Sequence, residues 1–215
     1  MTMPDSGKPG RNCPRCPRLV AFRKTQRAKE PNWFNAPVPS FGPVDARVLI
    51  VGLAPGLQGA NRTGRPFTGD WAGDLLYETL DTFGFSRGRY DERPDDGLEL
   101  VDCRITNAVR CVPPENKPTP AEIATCRDFL KDTIAEMPNL RVLVALGRVA
   151  HDSVVTAYGE KKSAKAFTHG GKNGLGGVTL FSSYHCSRYN TNTGVLTPAM
   201  FRKVFADVRR FLARE

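Results

Sequence analysis

RVLIVGLAPGLQGANRTGRPFTGD, residues 47–70, changes character at Gly52. Up to that residue it is a nearly continuous apolar, β-branched run, as expected of a strand covered on both faces. Beyond it comes a glycine-rich, polar loop that ends in an aromatic and a carboxylate, Phe67 and Asp70. Three further runs share the strand character: CRITNAV (103–109), RVLVALG (141–147) and GVTLFSS (177–183). Helix-like stretches separate them. Residues 119–137 open with Thr119, Pro120 and Glu122, the N-cap, N1 and N3 residues of a capping box, and continue with Ile123, Cys126, Leu130, Ile134 and Met137 at helical spacing. Thr197 and Pro198 repeat the device before the stripe Phe201, Val204, Phe205, Val208, Phe211 and Leu212. Residues 72–84 and 147–157 are weaker helical segments. Strands alternating with helices predict an α/β fold, a parallel sheet with helices on both faces, whose site lies on loops after the strands' carboxyl ends. The 52–70 loop is one of these. Residues 1–45, with Pro31, Pro37, Pro39 and Pro43 near their end, read as an extended N-terminal arm on a single domain.

At 215 residues and 40% apolar content the chain can bury one sizeable core. Its apolar runs are strand-sized and its first residues lack an apolar segment, so neither a membrane span nor a signal peptide is expected. The expectation is a cytoplasmic protein, and a monomer. Lys and Arg outnumber Asp and Glu by 31 to 22, a net charge of +9 that favours a polyanionic partner such as nucleic acid.

Six cysteines without an export signal argue against a disulfide scaffold. Cys13 and Cys16 form a CPRC pair, while Cys111 and Cys126 bracket CVPPENKPTPAEIATC. A close pair and two distant thiolates can surround a metal centre with four sulfur ligands, and an iron-sulfur cluster and tetrahedral zinc fit that count equally well. Cys103 lies within a strand pattern and is expected in the core. The 52–70 loop lacks the Gly-Lys-Ser/Thr ending of a triphosphate loop and the glycine spacing of a dinucleotide site, which argues against nucleotide hydrolysis and hydride transfer on motif grounds.

GLAPG (52–56), GANRTGRPFTGD (59–70), ITNAVRCVPPENKPTPAEIATC (105–126) and YHCSRYNTNTGVLT (184–197) together resemble the family-five uracil-DNA glycosylases of bacteria and archaea, relatives of the family-four enzymes. The likeness runs through residues 13–212. It implies a three-layer α/β/α sandwich around a central four-stranded parallel sheet. It also implies a [4Fe-4S] cluster held by Cys13, Cys16, Cys111 and Cys126, and excision of uracil, with hypoxanthine and xanthine as further deaminated bases, from DNA.

Within that resemblance each site residue acquires a chemical role. A base inside a duplex must be flipped into a pocket before its glycosidic bond can be reached. Phe67 offers a face for stacking, and Gly52 and its neighbours let backbone approach the base. Asn107, at a strand end, can pair with a ring N–H and the adjacent carbonyl of uracil. His185 is similar to the family's second-motif histidine, which donates to a base carbonyl. Related families carry a water-activating polar residue where this chain has Ala54, so the activating role passes to Asp70, with Asn116 as a second candidate. Asp70 also reads as an N-cap. Ser187, Asn190, Thr191 and Thr193 would contact phosphates, and Arg188 or Tyr189 would fill the gap left by the flipped base. Cys186 stands where the family usually has Pro. Lys161, Lys162, Lys165 and Lys172 form a basic insert that either tracks phosphates or is solvated, and His151 and His169 carry no assigned role. With no lysine matching a Schiff-base nucleophile, the expected enzyme is monofunctional and leaves an abasic site. The competing readings are a noncatalytic iron-sulfur nucleic-acid binder and a zinc-stabilised hydrolase of free nucleosides.

Overall fold

The computed structural model describes residues 8–214. In chain order the elements are α1 (Pro17–Lys29), β1 (Val48–Gly52), α2 (Ala60–Thr63), α3 (Trp71–Thr82), β2 (Ser86–Arg87), β3 (Glu99–Leu100), β4 (Cys103–Asn107), α4 (Pro120–Ala135), β5 (Val142–Leu146), α5 (Arg148–Ala157), β6 (Lys172–Leu175), β7 (Val178–Ser183), α6 (Arg188–Asn192) and α7 (Pro198–Leu212). The main sheet has the order β4-β1-β5-β7-β6. Its first four strands are mutually parallel, and β6 runs antiparallel to β7.

Alternation along β1 shows how the layers form. Val48 and Ile50 face one side with α3 and α7, where Leu76, Leu80, Phe201 and Phe205 cover them. Leu49 and Val51 face the other, against Leu130 of α4 and Val154 and Val155 of α5. All four β1 side chains are fully buried, which explains why the strand reads as continuously apolar rather than alternating. The sandwich is therefore three-layered, as expected. Among the described residues no helix is long and apolar enough to cross a membrane.

Two expectations are corrected. The sheet has five strands, not four, because Lys172–Leu175 of the basic insert forms an edge strand. Its run KNGL holds a single apolar residue, Leu175, and an edge strand buried on one side needs no more. Lys172 caps this edge: its ammonium lies 4.3 Å from the centroid of the Phe211 ring. The arm, whose first seven residues lie outside the described ones, is not simply extended either, since α1 occupies 13 of its residues. The face α1 buries carries Leu19, Arg23 and Gln26. Arginines hold it by binding carbonyls: Arg23 Nη2 donates to Cys13 O at 2.8 Å and Arg27 Nε to Asn35 O at 2.9 Å. A helix docked by cations shows no apolar periodicity. Farther along, Phe41 bridges Ile105 and covers the open edge of β4.

The capping box on α4 is formed as predicted. Thr119 Oγ1 accepts from the Glu122 amide at 3.3 Å, and Glu122 Oε2 accepts from the Thr119 amide at 2.8 Å. Glu122 also receives Arg18 through two bonds of 2.8 Å, tying α1 to the start of the helix that carries Cys126. Thr119→Ala is expected to cost about 1 kcal/mol, lowering the thermal midpoint by about 2–4 °C in a domain of this size. An unchanged melting curve would show that the box adds nothing to stability.

Candidate active site

A cavity of about 690 Å³ opens at the carboxyl ends of β1, β4 and β7. The fold brings to it Ala54, Phe67, Asp70, Asn107, Asn116, His185, Ser187 and Arg188, from the ends of β1, β4 and β7 and the segments that follow them. Gly52 underlies them. It pairs with Asn107 in the β1–β4 register, and a Cβ there would overlap Asn107 Oδ1 and lie 2.7 Å from Phe67 Cζ. Only glycine leaves room for both side chains.

Asn107 is 4% exposed, yet no described residue hydrogen-bonds its side-chain amide. Its amide atoms keep their access to the cavity, so one acceptor and two donors stay free for whatever enters it. Phe67 is likewise buried and adopts φ 53°. For a bulky residue that left-handed backbone is a strained conformation, costing about 1–2 kcal/mol. Its ring stacks against His185 with centroids 5.9 Å apart and planes 27° apart.

Asp70 and His185 are driven in opposite directions by one cause. Burial raises the Asp70 carboxyl above its ordinary range, an effect that the nearby Gly73 and Ala72 amides only partly offset. Asp70 does occupy the N-cap position of α3, but its side chain makes no capping bond, and Oδ1 is buried without a partner. Burial lowers the His185 imidazole to about 4. The cavity thus holds a neutral imidazole, whose ring nitrogens bond to no described residue, beside a carboxyl that burial makes harder to ionise.

Asn116 reaches the rim from a short turn in which Glu115 and Asn116 are both left-handed, with φ 54° and 56°. Asn tolerates that conformation. The segment after β7 divides in two. Ser187 and Arg188 line the cavity, whereas Tyr189, Asn190, Thr191 and Thr193 do not. Asn190 Nδ2 donates to His185 O at 2.8 Å and Thr193 Oγ1 to Tyr189 O at 2.7 Å, so both side chains spend donors inside the protein. Thr191 Oγ1 donates within its helix and accepts from Trp71 Nε1 at 3.0 Å. Ser187 Oγ accepts from the Asn190 amide, which leaves its hydroxyl hydrogen free. Tyr189 is 73% exposed. Cys186 is fully buried and its thiol donates to Ala72 O at 3.4 Å, so it fastens the loop to α3.

Sequence reasoning missed Trp71, which is half-exposed, lines the cavity and lies under the Arg188 guanidinium at 5.5 Å. The available signal was an aromatic immediately after Asp70 and outside the apolar stripe of its helix. The unassigned histidines are structural. His151 Nε2 donates to Lys165 O at 2.6 Å, which leaves Nδ1 to accept from Ser182 Oγ at 2.8 Å. His169 Nδ1 accepts from the Tyr184 amide at 3.1 Å. In the basic insert, Lys162 faces Asp152 at 3.7 Å.

Cys13, Cys16, Cys111 and Cys126 line one pocket with the apolar side chains Leu19, Val109 and Phe129. Arg110 N donates to Cys126 Sγ at 3.3 Å and Arg23 Nη1 to Cys111 Sγ at 3.4 Å. Among the described residues no three His, Cys, Asp or Glu side chains converge closely enough to hold a single metal ion. Burial pushes Cys111 up to about 12 and Cys126 up to about 11. Ala54 packs against this pocket and also lines the active-site cavity, so the two share a wall.

Residues 39–209 match the Uracil DNA glycosylase superfamily. The chain is 46% identical to a type-5 uracil-DNA glycosylase of Thermus thermophilus over 92% of its own length and 93% of that protein's. It is 42% identical to a type-5 enzyme of Pyrobaculum aerophilum over 86% of this chain and 83% of the relative. A type-4 uracil-DNA glycosylase of Thermotoga maritima is 37% identical over 68% of this chain and 67% of the relative.

Whatever the cavity binds, the partly buried Asp70 carboxylate carries a stability consequence. Because burial raises the folded-state pKa of Asp70, its ionised form opposes folding above that pKa, and the opposition fades as pH falls through it. Asp70→Asn is expected to stabilise the protein at neutral pH by about 1 kcal/mol, or about 2–4 °C, with the gain shrinking on acidification. Thermal melts of both proteins across the acid range check the sign.

Proposed function

The chain belongs to the uracil-DNA glycosylase superfamily, in its type-5 group, and we propose that it removes uracil from DNA by hydrolysing the N-glycosidic bond. The observation that carries the reading is the buried Asn107 amide, without a protein partner, beside the Phe67 ring in a cavity of base-accepting size. Uracil presents an N–H between two carbonyls, and one amide can meet an adjacent donor and acceptor. The flipped base stacks on Phe67 and is read by Asn107. As the bond to C1′ breaks, the electron pair leaves with the base and the sugar becomes cationic. His185, neutral at working pH, donates to a base carbonyl and stabilises the developing anion. Asp70, ionised, faces the cationic sugar and orients the water that adds to C1′. The water's proton passes to the carboxylate and then to solvent. Asn116 helps hold that water. Among the described lining residues there is no lysine to form a Schiff base, so the product is an abasic site with the strand intact. Arg188, Ser187 and the exposed Tyr189 meet the DNA beside the extrahelical base, on a protein whose net charge of +9 draws it to the backbone. We take it to act as a monomer in the cytoplasm.

A noncatalytic DNA binder has less support. Keeping Asp70 Oδ1 buried without a partner costs stability, and recognition of a base does not require that carboxylate.

The four cysteines fit a [4Fe-4S] cluster. They supply four sulfurs on one apolar pocket with N–H donors to two of them, which is the environment such clusters take. Cys13, Cys16, Cys111 and Cys126 would hold the cluster, which would brace α1, α4 and the Ala54 wall. A brown protein with broad visible absorption, bleached in Cys126→Ser, is expected; a colourless protein containing zinc would overturn the assignment.

A duplex bearing one uracil, treated with protein and then alkali, should break at that position. Phe67→Ala should slow single-turnover cleavage by about 5- to 150-fold, the worth of one base–aromatic stack. His185→Ala should slow it by about 10²–10³-fold, as for loss of one anion-stabilising donor. With His185 lowered to about 4, the rate should show no break near the ordinary imidazole value of 6.5 and should fall only as Asp70 takes up its proton. A break near 6.5 would mean that His185 is charged in the working enzyme. Parallel duplexes with hypoxanthine or xanthine define the base range.

A further inference from the structure

Phe67 holds a strained backbone without help from the cavity, and the restraint comes from a segment that does not line it. Residues 88–98 leave the fold between β2 and β3 as a charged excursion, RGRYDERPDDG within 87–97. From it, Tyr90 Oη donates to Phe67 O at 3.2 Å and accepts from the Gly69 amide at 3.3 Å. One hydroxyl thus spans the platform residue and the residue two beyond it.

The hydroxyl is itself fixed. The Tyr90 ring stacks on Tyr77 with centroids 4.5 Å apart, and Tyr77 Oη donates to Pro66 O at 2.7 Å. The Arg65 guanidinium lies over both rings, at 5.6 and 5.8 Å. Its Nε donates to Thr68 Oγ1 at 2.7 Å, and its two terminal nitrogens grip Asp96 at 2.7 Å each. Asp96 closes the circuit by accepting from the Asp91 and Leu98 amides at 2.9 and 3.0 Å. The pair is buried, with side-chain exposures of 5% and 1%. Every residue from Arg65 to Gly69 is therefore tied to this network. From the other side, the α3 backbone at Gly73 abuts Phe67 O so closely that a Cβ there would overlap it. Tyr77, Tyr90 and Asp96 do not line the cavity.

We infer that Tyr90 is a positioning residue for glycosidic cleavage: through its hydroxyl it holds the Phe67 ring in the plane that the extrahelical base must meet. The inference deepens the proposed function and rests on it. A platform displaced by about 1 Å costs about 10²-fold in rate even when the chemical groups are untouched, so remote restraint has a kinetic readout.

Tyr90→Phe removes the hydroxyl and keeps the ring stack. Single-turnover cleavage of the uracil duplex is expected to fall by about tenfold, while affinity for the intact duplex changes by less than about twofold. The loss should vanish when Phe67 is already Ala, because the hydroxyl then has no platform to hold. A general loss of structure would instead multiply with the Phe67→Ala effect. Gly73→Ala is the second variant. It favours the helix intrinsically but drives a methyl group into Phe67 O, and it should show the same rate loss and the same dependence on Phe67. Independently of activity, NMR contacts between the Phe67 and His185 rings should be present in the wild type and weakened in Tyr90→Phe. Full cleavage by both variants, losses that persist in the Phe67→Ala background, or ring contacts unchanged in Tyr90→Phe would each overturn the inference. A wild type that leaves uracil in place but shows these contacts and their loss would overturn the proposed function and leave Tyr90 only as the residue that holds the Phe67 ring.

Discussion

At the carboxyl end of β1 there is room for no side chain. Gly52 faces the Asn107 amide across the β1–β4 ladder and has the Phe67 ring above it, and a methyl group would displace both. The constraint arises where two buried parallel strands end together, and the loop that leaves β1 must turn over its own strand to cover them. The rest of the site is built on that crowding. The amide and the ring are seated side by side over the strand ends, and the remaining open volume is the cavity.

The electrostatics of the cavity arise from the same burial. One cause keeps the imidazole of His185 neutral and makes the carboxylate of Asp70 expensive, because low polarity disfavours whichever form is charged. The mechanism we propose uses that combination, a neutral donor for a leaving base and an anion facing a cationic sugar. The stability lost on Asp70 is a cost that the well-packed sheet can carry, with both faces of β1 fully buried.

Two supports brace the cavity from outside. On one flank the cysteine pocket shares Ala54 with the cavity wall and fastens α1 to α4, with Arg18 and Glu122 completing the junction. On the other, the buried Arg65–Asp96 pair and the stacked Tyr77 and Tyr90 hold the loop from Arg65 to Gly69. Both join segments distant in sequence, so the geometry of the site is set by contacts whose partners are 11 to 104 residues apart.

Local chemistry made much of this legible in advance. The four parallel strands announced themselves because strands covered on both faces must be apolar throughout, and α4 and α7 because Thr-Pro caps and helical spacing act within a few residues. Phe67, Asp70, Asn107 and His185 were legible as polar or aromatic punctuation at strand ends, and long motifs carried the family resemblance. Local chemistry is silent where an element is held by remote partners: α1 docks through arginines, β6 through one leucine and a lysine over an aromatic ring, and Tyr90 through a carbonyl made available only by a left-handed backbone at Phe67. Which donors in the 187–193 loop remain free was equally invisible, since it depends on who accepts from whom after folding. Sequence alone thus determined which strands form and what chemistry their ends carry, because burial and capping are properties of neighbouring residues. The tertiary structure decided which of those groups meet in one cavity, how burial sets their charge, and what holds the ring in place, because these depend on distances between segments that only packing brings together.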